Sequence, residues 1–419
     1  MKKYDDVHQY VINGWDKAVK PKNKFKDFPL PYDYVPPCID DIFDKLFYWD
    51  TYFTNVGLII AGKKHLAYGN TMDLIHALGV FGCVPNMCIK TGANWASQPP
   101  LLFMMINDYY GETGDKEFLE VGYNALIKEY EFWMTKRMSP IGLNRYFTNT
   151  TDFDRIVSLM TGEYARRINL DVSNWTDQQK YDFMIKTIGE GESGEDHTYR
   201  FDARCAMHAP ICLNSILYGF ENRMAEFSKI LDKGEENLWL ERAQKRLALI
   251  KKYNYDEETG VYFDYDYENG RRTGVFCGAN YLPYFHGITT DKKAIDLINS
   301  HLILAHGMTS CQKAPNNGQN YQWGYPNSWA PHNLYASIAN EKAGNHDMAR
   351  EIGMKWIDTL ANVFSEKGLL FEKYNAEMGT NDTIDEYGCP EMLGWTGGVY
   401  DYFYNKYVLN KKYPIRTLD

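Results

Sequence analysis

The chain has 419 residues, of which 44 % are hydrophobic and 24 % charged, proportions that exclude a disordered, collagen-like or coiled-coil protein. Lys and Arg total 45 against 55 Asp and Glu, and the resulting net charge of −10 opposes phosphate backbones and anionic lipid, so nucleic acid and membrane are not expected partners. The longest apolar runs, such as the one from Val56 to Ala61, fall far short of the ~20 residues a membrane-spanning helix needs.

The N-terminal Met1-Lys2-Lys3-Tyr4-Asp5-Asp6 has two basic residues with no apolar run behind them, so no secretory signal is expected and a cytoplasmic location follows. Between Thr113 and Lys136, Phe118, Val121, Ala125 and Phe132 recur at helical spacing. Met224, Phe227, Ile230 and Leu231, followed by Leu238, Leu240, Ala243, Leu247 and Ile250, predict two helices broken near Gly234. The alternating run Gly260 to Asp266, the Asn269-Gly270 turn and the run Arg271 to Phe276 predict a β-hairpin. Ile352, Trp356, Leu360 and Phe364 form a last stripe that stops at Gly368.

No Pro/Gly/Ser-rich linker or charge block divides the sequence, so residues 1–419 read as one domain, mostly helical with a small hairpin insertion. Twelve helices with their loops would take about 35 residues each, which permits a double ring of helices without demanding one over a solenoid. The eight cysteines contain no C-x-x-C pair, and Cys83 and Cys88 lack a second Cys/His pair nearby, so reduced thiols are expected rather than a zinc site. No metal and no cofactor is implied.

Tyr 33, Phe 21 and Trp 10 make up 15 % of the chain, enough for an aromatic core and also for surfaces that stack on sugar rings. Six segments break the helical periodicity and combine aromatic, amide and acidic residues. They are residues 47–53 (Phe-Tyr-Trp-Asp-Thr-Tyr-Phe), 84–86 (Val-Pro-Asn), 96–100 (Ala-Ser-Gln-Pro-Pro), 192–196 (Glu-Ser-Gly-Glu-Asp), 322–331 (Gln-Trp-Gly-Tyr-Pro-Asn-Ser-Trp-Ala-Pro) and 385–398, from Asp385-Glu386-Tyr387 to Gly394-Trp395-Thr396-Gly397-Gly398. Glycoside hydrolysis needs two carboxyl groups flanking the anomeric carbon, an aromatic floor, and polar groups for the hydroxyls. The segments supply that inventory.

These segments resemble, in the same order, those of the trehalase family of glycoside hydrolases. Residues 48–53 are similar to Y-W-D-S-Y-F, Pro85-Asn86 to P-N, and 97–100 to the end of R-S-Q-P-P. Residues 192–196 with Arg200 resemble E-S-G-W-D-x-x-x-R, and 322–331 resemble Q-W-D-x-P-N-G-W-A-P. Glu386-Tyr387 and 394–399 resemble E-Y followed by G-W-T-N-G-V. The resemblance implies an all-α (α/α)6 barrel and hydrolysis of an α-glycosidic bond with inversion. It makes Asp196 the general acid and Glu386 the general base, with Tyr48, Trp49, Asp50, Asn86, Gln98, Gly194, Arg200, Trp323 and Trp395 around the sugar. Glu192 and Glu195 are the expected negative neighbours that keep Asp196 protonated.

Departures bear on the substrate. Ala96 stands where the family carries Arg before S-Q-P-P, Glu195 replaces the Trp of E-S-G-W-D, and Gly324 replaces the Asp of Q-W-D. The P-R-P-E-S element is absent after Gly142-Leu143-Asn144-Arg145-Tyr146. The expected partner is a small carbohydrate, an α-glucoside such as trehalose. A glucosyl- or mannosyl-glycerate is the alternative, with Lys90 and Arg200 as its candidate cations. A sugar epimerase or isomerase on the same toroid, using His197 and His208, is the other. Oligomeric state is left open.

Overall fold

The computed structural model describes residues 2–90, 95–315, 321–384, 387–411 and 415–418. In chain order the helices are α1 (Lys2–Ala18), α2 (Tyr48–Ile60), α3 (Lys64–Phe81), α4 (Leu102–Thr113), α5 (Lys116–Lys136), α6 (Phe153–Leu159), α7 (Ala165–Arg167), α8 (Asp177–Thr187) and α9 (Glu190–Ser193). They continue as α10 (Ile211–Ile230), α11 (Glu236–Tyr253), α12 (Leu282–Phe285), α13 (Lys292–Leu302), α14 (Ala330–Lys342), α15 (His346–Lys367) and α16 (Gly394–Phe403).

Burial sorts twelve of these into two rings. Every residue of α2 and of α16 is buried, and α4, α10, α12 and α14 are buried through most of their length. A helix buried all round belongs inside a larger assembly, so these six form the inner ring. Around it α2 packs on α4, α10 on α12, α12 on α14, α14 on α16, and α16 back on α2; Phe103 of α4 meets Phe220 of α10 at 5.3 Å. The outer ring is α3, α5, α11, α13, α15 and α1, with α13 packed on the turn Gly278–Tyr281 that leads into α12, and α1 lying on α15 and α16 to join the two ends of the chain. The architecture is an (α/α)6 toroid.

The long outer helices follow their sequence signals. Asp115 caps α5 by accepting the Phe118 N–H, and α15 stops at Gly368 in the left-handed conformation, φ +73°. Within these helices the stripes are narrower than expected. Val121 of α5 and Leu238 and Leu240 of α11 are exposed, because Phe118, Ala125 and Leu126 in the one, and Trp239, Ala243 and Ile250 in the other, already fill the inward face.

The hairpin is present as β2 (Tyr265–Asp266) and β3 (Arg271–Arg272), extended to three strands by β1 (His208–Ala209). A second sheet, not expected from the sequence, pairs β4 (Asn327–Trp329) antiparallel with β5 (Lys373–Asn375), setting Trp329 opposite Lys373. Helices α6 to α9 stand apart from the rings as a cap, and Ile156, Met160, Tyr164, Ile168, Met184 and Ile188 form a small apolar cluster there, separate from the main core.

Candidate active site

At one end of the toroid the motif segments meet around a cavity of about 110 Å³. The start of α2 supplies Trp49 and Asp50. Its N-cap residue, Phe47, has no side-chain cap, so the orphan helix N–H groups need partners from elsewhere. Gln98 Oε1 accepts the Trp49 N–H at 3.0 Å, and the Asn86 carbonyl accepts the Tyr48 N–H at 3.1 Å. Asn86 and Gln98 thus both position the helix end and line the cavity beside it.

Asp196 reaches the same cavity through a glycine turn. Helix α9 ends at Gly194 with φ +74°, where a Cβ would lie 2.7 Å from the Trp49 ring. Only glycine fits both the backbone and the indole. The carboxylates around this turn have separate fates. Glu192 Oε2 accepts Arg137 Nε at 2.6 Å and the Phe147 N–H at 2.9 Å, while its Oε1 accepts Arg137 Nη2 at 2.7 Å and the Ser97 N–H at 2.9 Å. Glu195 Oε1 accepts Arg200 Nη1 at 3.0 Å and lies 3.3 Å from His332 Nε2. Burial would raise the Glu195 carboxyl, but the Arg200 guanidinium and the His332 ring hold it down at about 2. Both charges are therefore compensated by cations, and neither provides the repulsion expected to keep Asp196 protonated. Asp50 shares the cavity with Asp196, and its own carboxyl is pushed up to about 8 by burial, with Glu372 and Asp196 adding to the shift.

The far wall comes from the β4–β5 pair. Trp323 stacks on Trp329 with centroids 3.8 Å apart and planes at 7°, and Trp395 packs edge-on to Trp329 at 5.7 Å. Trp49 completes the cluster at 5.6 Å from Trp323 and 5.8 Å from Trp395. Among them opens Glu372, a residue the sequence reading did not select. Its Oε2 accepts Lys373 Nζ at 2.7 Å and its Oε1 accepts the Tyr387 hydroxyl at 2.8 Å. The Lys373 ammonium is fully buried, and a buried cation without its anion is costly, so the pair suits Glu372 to act as a carboxylate. The signal available in the sequence was an acidic residue closing the apolar run Leu369-Leu370-Phe371, which a core position would not carry without a partner.

Of the residues read from the sequence, Trp49, Asp50, Asn86, Gln98, Gly194, Asp196, Trp323 and Trp395 line this cavity, together with Glu372, Trp329 and Tyr387. Glu386 lies outside the described residues. Tyr48 does not line this cavity: its hydroxyl donates to buried Glu129 and accepts the Leu102 N–H at 2.9 Å. Arg200 is also turned away, forked onto Asp264 at 2.6 and 2.9 Å. Of the two histidines, His197 borders a second cavity, whereas His208 is buried with Nδ1 2.8 Å from the Arg204 carbonyl.

That second cavity, about 380 Å³, adjoins the first and shares Asn86 and Asp196 with it. Its other walls are Met87, Trp95 and Ala96 below and the cap residues Leu159, Tyr164, Met184, Thr187, Ile188 and Glu190 above. Among the described residues, no Lys or Arg lines either cavity; Lys90 is exposed and outside both.

Comparison with known proteins bears on the family and the fold. The profile of the trehalase family matches residues 5–408. The cytosolic neutral trehalase of Saccharomyces cerevisiae is 27 % identical over 88 % of this chain and 56 % of its own, so the chain spans little more than half the length of that relative. The structure of a neutral trehalase from the same yeast superposes with a TM-score of 0.75 at 25 % identity, covering 98 % of this chain and 81 % of the other. A mannosylglycerate hydrolase from Thermus thermophilus shares the fold at 14 % identity, with a TM-score of 0.66 over 95 % of this chain and the whole of that one.

Proposed function

The chain belongs to the trehalase family, and on that footing we propose that it hydrolyses an α-glucosidic bond of a short substrate such as trehalose, with inversion at the anomeric carbon. The observation that supports this reading most is that Asp196 and Glu372 open into one tryptophan-lined cavity while the neighbouring carboxylates are consumed by arginines. One glucose occupies this cavity against the indoles. Asp50, Asn86 and Gln98 take its hydroxyls. Gln98 uses Oε1 on the Trp49 N–H, which leaves its Nε2 amide as the donor towards the sugar.

Asp196 stands where the two cavities meet and gives its proton to the glycosidic oxygen as the bond breaks. Glu372, its two oxygens fixed by Lys373 and Tyr387, takes a proton from the attacking water. In an inverting enzyme the two carboxyl groups stand ~6.5–9.5 Å apart to leave room for that water. Glu386, the base implied by the sequence resemblance, immediately precedes Tyr387 and is the competing candidate for the same role. A neutral aglycone is favoured over a glycerate, because the described lining of both cavities offers no Lys or Arg to a carboxylate. The reading of residues 1–419 as one domain is supported by a main core that runs from Val7 to Leu418. A cytoplasmic location is supported by the similarity to the cytosolic trehalase of yeast.

The test is proton NMR of trehalose, kojibiose, nigerose and glucosyl- and mannosyl-glycerate with the purified chain, reading the first-formed anomer before mutarotation. β-Glucose is expected; first-formed α-glucose would refute inversion. D196N and E372Q should each lower turnover by at least ~10³-fold, within the range of a lost acid or base. Loss in E386Q with activity kept in E372Q would move the base to Glu386.

A further inference from the structure

The second cavity has a character that a sugar would not meet well. Its volume of about 380 Å³ is more than three times the 110 Å³ of the tryptophan cavity, and Met87, Trp95, Leu159, Tyr164, Met184 and Ile188 give it a large apolar wall. Besides Asp196 and His197, the polar side chains on that wall hold protein partners. Thr148 Oγ1 donates to the Trp95 carbonyl at 2.8 Å, and the Thr187 hydroxyl is directed at the carbonyls of Phe183 and Ala203. Glu190 Oε2 accepts the His197 N–H at 3.1 Å and lies 3.4 Å from the Tyr164 hydroxyl, and Asn86 Nδ2 donates to the Gly191 carbonyl at 3.0 Å. The Arg155 guanidinium is stacked 3.5 Å over the Trp95 ring and does not line the space.

A sugar placed here would surrender hydration of its hydroxyls to a wall whose described polar side chains, Asp196 and His197 aside, already hold protein partners, which costs free energy for each hydroxyl left unpaired. An alkyl or aryl group would instead gain the burial term of each methylene without that penalty. The wall is also built for the purpose by a separate element: Leu159, Tyr164, Met184 and Ile188 come from the cap and its own apolar cluster, not from the barrel. Because Asp196 borders both cavities, a glycosidic oxygen beside it has the glucose on one side and its aglycone in this second space.

We propose that this cavity is an apolar aglycone site, and that the chain acts on α-glucosides with alkyl or aryl aglycones in preference to those carrying a second sugar. The proposal rests on the α-glucosidase reading above and names its substrate class. The test compares kcat/KM of the full chain for hexyl α-glucoside, methyl α-glucoside and trehalose, alongside calorimetric binding of the two alkyl glucosides to D196N. Hexyl α-glucoside should be cleaved at least ~10-fold better than methyl α-glucoside and better than trehalose, since discrimination by even one buried methylene reaches ~10-fold. L159Q and M184Q should each reduce the hexyl-to-methyl ratio several-fold. Trehalose cleaved faster than the hexyl glucoside, or equal rates for the two alkyl glucosides, would overturn the apolar site and leave the glycosidase reading standing. Turnover of none of the three, with hexyl still bound ~10-fold tighter than methyl, would overturn the glycosidase reading and support the apolar site. Equal binding would overturn it.

Discussion

Replacing Asp50 with Asn should flatten the pH dependence of stability and, in the same variant, remove activity. Asp50 is 6 % exposed, and its burial among other carboxylates lifts it from 3.8 to about 8. The sign follows from proton counting. In the folded chain the carboxyl holds a proton that the unfolded chain releases above pH 3.8, so the stability it contributes is complete below 3.8 and is lost as pH rises through 8. Between those values each pH unit removes about 1.4 kcal/mol, and allowing for partial titration near 8 the loss from pH 6 to pH 8 is roughly 2 kcal/mol. An amide does not titrate and escapes that loss.

The assay is guanidinium chloride unfolding of both proteins at pH 6, 7 and 8. Glu129 and Asp73, also raised by burial to about 8, and Asp108, raised to about 7, are present in both chains and cancel in the difference. The gap between wild type and D50N should therefore change by roughly 2 kcal/mol over this range. Parallel pH profiles would refute the assignment of Asp50 as a protonated carboxyl. Loss of turnover in a variant that is no less stable at pH 8 would show the position is held for substrate, since the charged form costs folding energy that only a bound ligand offsets.

Three further outcomes check other parts of the site. R137M strands the Glu192 carboxylate in a fully buried position and should cost ~3–5 kcal/mol, read as a lower thermal unfolding midpoint; an unchanged midpoint would mean the pair does not brace the acid loop. Y387F removes the donor to Glu372 Oε1 and should lower kcat ~10-fold with KM nearly constant, whereas an effect on KM alone would assign the hydroxyl to substrate binding. G194A meets the Trp49 ring and a left-handed φ, so a destabilisation of ~1–3 kcal/mol and a displaced acid are expected; wild-type kinetics would show that the turn relaxes freely.

How far the sequence could be read depends on which ring a helix occupies. Outer helices α5 and α15 face water on one side, so their apolar stripes and the Gly368 stop were legible. Inner helices α2, α14 and α16 are buried on all sides and carry no stripe to read. Their ends were found instead through the motif segments, which is why Trp49, Asp50 and Trp395 were identified and the helices bearing them were not. Glu372 escaped for a different reason: its place is set by three-residue strands whose partners are distant in the chain, and such short strands have no periodicity of their own.

The acid loop makes the same point about charge. Four carboxylates lie within seven residues, at positions 190, 192, 195 and 196, and proximity in sequence pointed to Glu192 and Glu195 as the negative neighbours of Asp196. Folding brings each of the first three a different partner. Glu192 receives Arg137 from the end of α5, Glu195 receives Arg200 with Asp264 behind it, and Glu190 receives the His197 backbone. Asp196 alone of the four lines the tryptophan cavity. The Gly194 turn lies between the two arginine pairs, so the backbone entering Asp196 is clamped on both sides of its single left-handed residue. The two arginines, Arg137 from 55 residues away in the chain and Arg200 from five, therefore do two things at once: they compensate the neighbouring charges and brace the turn that carries Asp196 into the tryptophan cavity.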